Sequence, residues 1–561
     1  MQGESKPGFD VIVVGSGASG GWAAKRLSEA GVKVALLDCG LPQADKNFTE
    51  HDPPFELKYR NRVPDVIRRT RPIQKDCYAC NEFNYHWFAN DLDEPYTTAP
   101  GTSFSWQGRV RRVGGRTNVW GRVSLRLSDL DLKAASFDGH GADWPLDYKD
   151  LAPYYDLVEE YVGVAGSAEH YPYLPDGKFQ PAMALRCPEV YFRDKVKEKL
   201  GWVVGPTRTA NITKALNGRA PCHYCGPCER GCVTHSYFNS SFTTVADAVA
   251  SGHCTLITNA MAYKVLMDPD RHRARGVLYI DRTTREAKEV QAKAVILSAQ
   301  SLESVRILFN SADRQHPNGL ANSSGILGHY LMDHIMGGGA TGEFPQLSVK
   351  PTLNGPHRPT GIYVARFRNI PGARSKNFLR GYGYQGSGDS HFNFNAPGFG
   401  QEYKDAIINR PRTTIGLGGF GECLARWENY VEIDPSVRDT FGIPVLRTHM
   451  TYGDNEHAMV KDMAASAAQM LEAAGAKNIQ LRLKPSTPGW AIHECGIARM
   501  GTDPKKSVLN PFQQTHDVKN LFVMDGAGFP STGCQNPTLT IMALTARSCD
   551  YLMQEMKKGN V

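Results

Sequence analysis

Apolar and polar positions change period several times along the chain, and those changes mark out its elements. Val11 to Val14 is an unbroken apolar run, which predicts a strand of a parallel sheet buried on both faces. Ala23 to Ala30 follows with helical composition, and Val32 to Leu37 predicts a second strand ending at Asp38. The stretch from Pro42 to Pro100 is rich in proline, asparagine, aromatics and charge, and predicts a long excursion over the surface. Asp143 to Val162 predicts a helix with Asp150 as its cap and Pro153 in the first turn. Short β-branched and apolar runs at 255–258, 262–267, 274–280 and 290–297 predict strands; Lys293 to Ala299 reads as a last parallel strand, followed by a helix from Ser301 to Asn310.

Between Met336 and Pro488 the pattern shifts. Glycine, asparagine and aromatics alternate with period two at 390–395, and Tyr430 to Asp434 also reads as strand, so a mostly antiparallel sheet is expected. Asp454 to Ala474 predicts a long amphipathic helix whose Met459, Met463 and Met470 serve core packing. In the tail, Leu521 to Met524 predicts a buried strand, and Asn536 opens a helix that runs to Leu552. There is no internal repeat. The 561 residues divide into three stretches: 1–335, with the excursion at 42–100 and a cysteine-bearing insertion around 205–245; 336–489; and 490–561.

Composition narrows the class more than the function. Hydrophobic content of 41% and charged content of 22% describe a globular chain, and no apolar run approaches the roughly 20 residues of a membrane span. Met1 to Gly8 is polar and lacks the apolar core of a secretory signal. A net charge of +7 is modest for this length, so no nucleic-acid partner is expected, and the basic runs at Arg68 to Arg71 and Arg109 to Arg112 read as solvated faces. Thirteen cysteines, an odd number in unlike settings, argue against an extracellular disulfide framework.

Candidate chemistry starts at Gly15, Gly17, Ala18, Ser19 and Gly20, a G-x-G-x-x-G between strand and helix. Gly15 permits the tight turn, Gly17 lets the backbone approach a pyrophosphate, and Gly20 lets the helix pack closely with its N-terminus towards the phosphates. Asp38 stands where an acid would hold ribose hydroxyls. The motif marks a dinucleotide site and leaves FAD and NAD both open. Gly114 and Gly115, beside Thr117 and Asn118, suit a loop whose backbone touches a flat ring system. Cys77 and Cys80 form a CxxC without the helix-opening context of a redox motif, and read as free or structural thiols. Cys222, Cys225, Cys228 and Cys232 form CxxCxxCxxxC, the close spacing by which one ferredoxin loop wraps a [4Fe–4S] cluster. Zinc more often takes two separated knuckles. The proline that usually follows the last cysteine is replaced by Val233, and a [3Fe–4S] form, zinc and no metal all remain open.

With both ends of the chain read, the pattern resembles the glucose–methanol–choline (GMC) oxidoreductases, FAD enzymes that oxidise alcohols. The matching pieces are the fingerprint at Gly15 to Gly20, the Gly114–Gly115 loop, His493-x-x-Gly496-x-x-Arg-Met-Gly501, Val523-Met-Asp525-Gly-Ala and Asn536-Pro-Thr-Leu-Thr540. The resemblance implies FAD rather than NAD, and an α/β fold with a Rossmann-like FAD-binding domain (1–335 and 490–561) and a second α+β substrate domain (336–489) on a mostly antiparallel sheet. It implies His493 as the base that takes the hydroxyl proton and Asn536 as its orienting partner. Asp525, Gly526, Asn536 and Thr538 are implied cofactor contacts of the tail, Ala262 an adenine contact through its backbone, and Gly114, Gly115, Thr117 and Asn118 the loop over the isoalloxazine. Some relatives attach FAD through a histidine of that loop; here Val119 precedes Trp120, so non-covalent FAD is expected.

The cysteine loop narrows the resemblance to the large FAD subunits of bacterial sugar and glucoside 3-dehydrogenases that carry an iron–sulfur cluster. What this implies is oxidation of a secondary hydroxyl of a sugar or glycoside, with electrons leaving to a cytochrome c-type acceptor. It also implies a small partner subunit whose export signal takes the pair to the periplasm, a cytoplasmic location being the alternative. The rival readings are an oxidase using dioxygen with a structural zinc or metal-free loop, a lyase on the same scaffold, and a non-catalytic FAD-stabilised subunit. His391, Asn393 and Asn395 are candidates for binding sugar hydroxyls, or equally strand surface.

Overall fold

The computed structural model describes residues 8–53, 55–59, 65–268, 272–347, 357–392, 396–409 and 412–561. Two sheets organise the molecule. In the first, Phe9–Val14 lies parallel between Val34–Leu37 and the upper half of Ala287–Leu297; Cys254–Ile257 extends one side and Leu521–Val523 the other. These strands are apolar throughout because both faces are covered: Val11, Ile12 and Val34 to Leu37 have no solvent exposure. The helix Ala18–Ser28 packs against the tail helix Thr538–Lys557 and against Thr244–Ala250. The 11-residue strand Ala287–Leu297 serves two sheets. Its lower half leaves the parallel ladder and pairs antiparallel with Arg273–Asp281, which pairs in turn with Ala260–Asp268.

The second sheet is antiparallel, in the order Lys477–Arg482, Gly339–Glu343, Arg412–Glu422, Tyr382–His391, Ile362–Val364 and Val204–Pro206. The last of these comes from the part of the chain ahead of residue 336, so the sheet recruits a strand from across the sequence boundary. Asp454–Ala473 packs on this sheet with Met459, Met463 and Met470 fully buried, as its apolar stripe predicts. Glycine lets it sit close: a Cβ on Gly419 would lie 2.5 Å from the Met463 sulfur. Among the described residues no helix is long and apolar enough to cross a membrane.

Three expectations from sequence change. The helix Tyr148–Val162 is capped by Asp147, whose backbone N–H donates to Asp150 Oδ2 at 2.9 Å, so Asp150 is the third residue of a capping box and Pro153 lies beyond the first turn. The excursion at 42–100 is not merely a surface path. Its Ile67, Cys77, Ala79, Cys80, Trp87 and Phe88 bury a small core of their own against Val119. Arg109 is buried and the Arg111 side chain keeps only 9% exposure, so neither is a solvated face; Arg111 bonds Glu94 and Glu303, both at 2.8 Å, because an unpaired guanidinium at that depth would be costly. Of the run read as strand at 390–395, Ser390 and His391 are the last two residues of the strand Tyr382–His391, Phe392 lies beyond it, and 393–395, with Asn393 and Asn395, lie outside the described residues.

Candidate active site

The fingerprint folds as its glycines demand. Gly15 has φ +95°, and a Cβ there would stand 2.4 Å from the Ser298 carbonyl oxygen; at Gly20 it would stand 1.7 Å from that of Gly15. Asp38 is buried, accepting from the backbone N–H groups of Ser16 at 3.1 Å and Gly40 at 2.7 Å and from the Ser16 hydroxyl. The Ser16 hydroxyl oxygen also accepts from Gly114 N–H at 2.9 Å, which fastens the glycine-pair loop onto the fingerprint.

One cavity gathers most of the predicted residues from distant parts of the chain. Gly15, Gly17, Ala18 and Ser19 line it with Asp38, Gly115 and Thr117, and Ala262 joins them from the antiparallel meander. His493, Asp525, Gly526, Asn536 and Thr538 line it from the tail. Gly20, Gly114 and Asn118 stand behind the lining. Gly20 serves the strand–helix contact, Gly114 takes the left-handed turn at φ +92°, and Asn118 braces the loop by donating to the Val113 and Gly115 carbonyls at 3.0 and 2.8 Å. Arg116, unremarked in the sequence, ties this loop to the tail. It pairs with both Glu494 carboxylate oxygens, at 2.7 and 2.9 Å, and donates to the Ile492 carbonyl at 2.9 Å.

The second sheet reaches the cavity at His493, through His334 on the strand His334–Ile335. Its Nδ1 lies 3.0 Å from Nδ1 of His334, the rings edge to face, and its backbone N–H donates to Asp333 Oδ1 at 2.9 Å. Asp333 Oδ2 accepts from Ala491 N–H at 3.1 Å. Burial, then His334 and Arg116, hold the His493 imidazole well below its usual range, so the ring is neutral. Burial pushes His334 down to about 4, and burial followed by the Glu494 charge pushes Asp333 up to about 7. Gln385, on the second sheet, donates from Nε2 to Asn536 Oδ1 at 2.7 Å. That bond takes up the amide oxygen and leaves Asn536 Nδ2 as a donor. Asp333, His334 and Gln385 were all missed in sequence. The one usable signal was resemblance: the run from Asn322 to His334, which Asp333 and His334 end, is similar to the family's sugar dehydrogenases.

Cys77 and Cys80 are free thiols that burial pushes up to about 11 and about 12, so both are protonated and inert at neutral pH. The cysteine loop lies beside the excursion. Asn84 Nδ2 donates to the Glu229 carbonyl at 2.9 Å, Arg230 donates to the Asp52 carbonyl at 2.7 Å, and Val233 N–H donates to Glu50 at 2.6 Å. Cys228 and Cys232 are buried, Cys222 and Cys225 half-buried. Cys232 Sγ accepts from Ser236 N–H at 3.3 Å, with the Ser236 and Thr234 hydroxyls at 3.2 and 3.3 Å. Tyr237 packs on Cys228 and Cys232 and donates to the Asn118 carbonyl at 3.1 Å, joining this loop to the cavity loop. His51 and His223 face each other at 2.6 Å beside Cys225.

A parallel nucleotide-binding sheet, a cavity floored by its glycine turn and an imidazole–amide pair in that cavity define an oxidoreductase built around a dinucleotide. The chain belongs to the GMC oxidoreductase family: residues 9–336 match its N-terminal part and residues 425–545 its C-terminal part. It is therefore an FAD-binding flavoprotein acting on CH–OH groups. It is 30% identical to the 2-methyl-1,2-propanediol dehydrogenase of Mycolicibacterium austroafricanum, over 97% of this chain and 95% of that one. It is 28% identical to the fructose dehydrogenase large subunit of Gluconobacter japonicus, over 98% of each. Among solved structures, a pyridoxine 4-oxidase from Mesorbium loti superposes with a TM-score of 0.61 at 16% identity, covering 97% of this chain and 99% of that one. This last likeness concerns the fold.

Proposed function

We propose that this protein is a dehydrogenase that oxidises a secondary hydroxyl of a sugar or glycoside, with Cys222, Cys225, Cys228 and Cys232 holding an iron–sulfur cluster. The observation that carries it is the pairing, in one cavity with the fingerprint, of a neutral imidazole and an amide that has a donor to spare. The residues fit FAD. The backbone around Gly17 opens into free space, and the buried Gln300 Nε2 in the lining has no protein partner. Gly15 to Ser19 would hold the pyrophosphate, Asp38 the ribose, and Gly115 and Thr117 the ring.

When bound, FAD supplies the acceptor for the hydride that leaves the carbinol carbon. The protein's own residues handle the rest. His493 takes the hydroxyl proton, which a neutral imidazole can do at physiological pH. Asn536 Nδ2 donates to the same substrate oxygen and fixes its direction, held by Gln385. The Phe420 ring lies beside the base, its centroid 6.3 Å from that of His493.

The cysteine loop suits a cluster better than zinc. Its support is the spacing, four cysteines in one short CxxCxxCxxxC loop, since zinc more often takes two separated knuckles. Burial, then Cys228 and Cys232, push Cys225 up to about 12, a repulsion that a bound cationic centre would reverse. Hydrogen bonds onto Cys232 are of the kind that tune cluster thiolates. A cluster there supplies one-electron chemistry, and the rest of the reading follows: non-covalent FAD, a cytochrome c-type acceptor, and a small signal-bearing subunit that takes the chain to the periplasm. The support for a partner is that one relative is itself named a large subunit. The substrate domain in this reading is 336–489.

The test is anaerobic. Protein purified without oxygen is assayed for iron and zinc, then mixed with D-fructose and with methyl glucosides. Bleaching of the flavin together with a new iron–sulfur signal in electron paramagnetic resonance is expected. Stoichiometric zinc without iron overturns the cluster, and flavin left oxidised by every sugar and glycoside overturns the substrate class.

A further inference from the structure

We propose that His51, His223 and Cys225 form a site for one Zn²⁺ ion, which the chain takes up when its cysteine loop carries no cluster. The site lies apart from the flavin cavity, and only its competition with a cluster rests on the reading of the loop given above.

Three ligand atoms that suit zinc converge there from two distant segments. His51 belongs to the excursion and His223 to the cysteine loop 172 positions on, yet their Nε2 atoms stand 2.6 Å apart with the rings edge to face. Cys225 Sγ completes a set in which one nitrogen of each ring and the sulfur all lie within 4.8 Å of one another. Tetrahedral zinc places such atoms about 3.3 to 3.6 Å apart, so small rotations of the two exposed histidine side chains bring the three onto one ion. A hydrogen bond between two exposed imidazoles gains little against water, and it does not account for a thiol placed beside the pair.

Both segments are held from outside the site. The Thr49 and Asp52 carbonyls, either side of His51, accept from Arg230, the second at 2.7 Å, and Glu50 accepts from Val233 N–H at 2.6 Å. Around His223, Cys222 N–H donates to the Ile212 carbonyl at 2.9 Å, and the Tyr224 carbonyl accepts from His357 N–H at 2.8 Å. Tyr224 and Gly226, on either side of Cys225, are both left-handed, at φ +59° and +106°. A tyrosine kept in that conformation is strained, and such strain persists where surrounding contacts impose it. His223 Nδ1 lies 3.5 Å from the Thr234 hydroxyl, an outer contact of the kind that orients a metal-bound imidazole.

On binding, a Zn–S bond forms as the Cys225 S–H bond breaks and its proton leaves to solvent, both imidazoles bind as neutral ligands, and no electron moves. Exposure of the two histidines leaves the fourth position to water. Cys225 is also one of the four thiols assigned to the cluster, so the two occupants compete for its sulfur. A chain holding zinc here keeps its flavin site and loses its electron exit.

Flavin-loaded protein is freed of iron with ferricyanide and EDTA, reduced with a phosphine, and titrated without oxygen with Co²⁺ and then with Zn²⁺, read as difference spectra. Wild type should bind one Co²⁺ per chain with a sulfur-to-cobalt band, which one equivalent of Zn²⁺ removes. The double variant His51→Ala/His223→Ala should bind Zn²⁺ more than about 100-fold more weakly, beyond the cost of losing an outer-shell partner. Cys225→Ser should lose the sulfur band, and Cys222→Ser should match wild type; flavin absorbance checks the fold of each. No cobalt spectrum in wild type, or a wild-type spectrum in the double variant, overturns the proposal. Loss of the spectrum in Cys222→Ser with flavin retained also overturns it, by placing the ion on the cysteine loop alone. With iron and sulfide added back, Zn²⁺ should slow the return of the cluster in wild type and not in the double variant; an equal effect on both overturns the competition. Absence of iron from anaerobically purified wild type sinks the cluster reading alone, and the cobalt titration still decides the zinc site.

Discussion

Replacing His334 with glutamine gives a stability difference whose pH dependence is fixed in sign by burial. The folded chain holds His334 at about 4, against 6.5 for the free side chain, because a charged imidazole at that depth loses its hydration. A lowered value means the fold refuses a proton that the unfolded chain accepts. The stability contribution of neutral His334 is therefore intact above about pH 6.5 and drains away as pH falls towards 4. At about 1.4 kcal/mol per pH unit the gap amounts to about 3 kcal/mol. Unfolding 561 residues carries an entropy of about 1.2 kcal/mol per kelvin, so the loss corresponds to about 3 °C in melting temperature.

Asp333 works in the opposite direction. Its carboxyl is raised to about 7, so the fold retains a proton that the unfolded chain releases, and this penalty shrinks as pH falls from 7 towards 4. In wild type the two effects offset each other, so the pH dependence of wild type alone is uninformative. His334→Gln keeps Asp333 and removes only the imidazole. Calorimetric melting of both proteins from about pH 7.5 to about pH 4 should show the wild type losing roughly 2–3 °C relative to the variant. Parallel curves would refute the claim that His334 is buried as a neutral ring.

Two further substitutions test the frame of the site. Gly15→Ala places a methyl against the Ser298 carbonyl in a left-handed backbone, and should leave the purified protein with well under half its flavin by absorbance; full flavin content would mean that the turn can relax. Glu494→Gln breaks a bidentate ion pair but leaves Arg116 its bonds to the Ile492 and Gly108 carbonyls. It should cost about 3 kcal/mol in urea unfolding, the low end for a buried pair because the Arg116 side chain keeps 25% exposure.

Legibility in the sequence follows how local each determinant is. The parallel strands at Val11 and Val34 and the helix at Asp454 were readable, because a strand covered on both faces is apolar throughout and a one-sided helix repeats every three or four residues. The cap of Tyr148–Val162 was misplaced by three residues, since Asp147 and Asp150 are both acids in the right composition and only the reciprocal bonds distinguish them. The excursion misled for a different reason. Its polar composition is real, but six buried side chains suffice for a satellite core, and they are scattered among exposed neighbours. Arg109 and Arg111 look like surface charge until Glu94 and Glu303 are brought beside them.

The sequence by itself carried the glycine turn and the acid at the end of the second strand, each within a short motif whose spacing meets its chemical need, and, through resemblance, the family with His493 and Asn536 as its candidates. The tertiary structure decided what makes those two residues chemically distinct. His334 comes to His493 from 159 positions away and Gln385 to Asn536 from 151. Both partners belong to the second sheet. The neighbour of the imidazole and the partner of the amide oxygen come from hydrogen bonds to the second sheet, and no local pattern in the chain encodes contacts between residues so far apart.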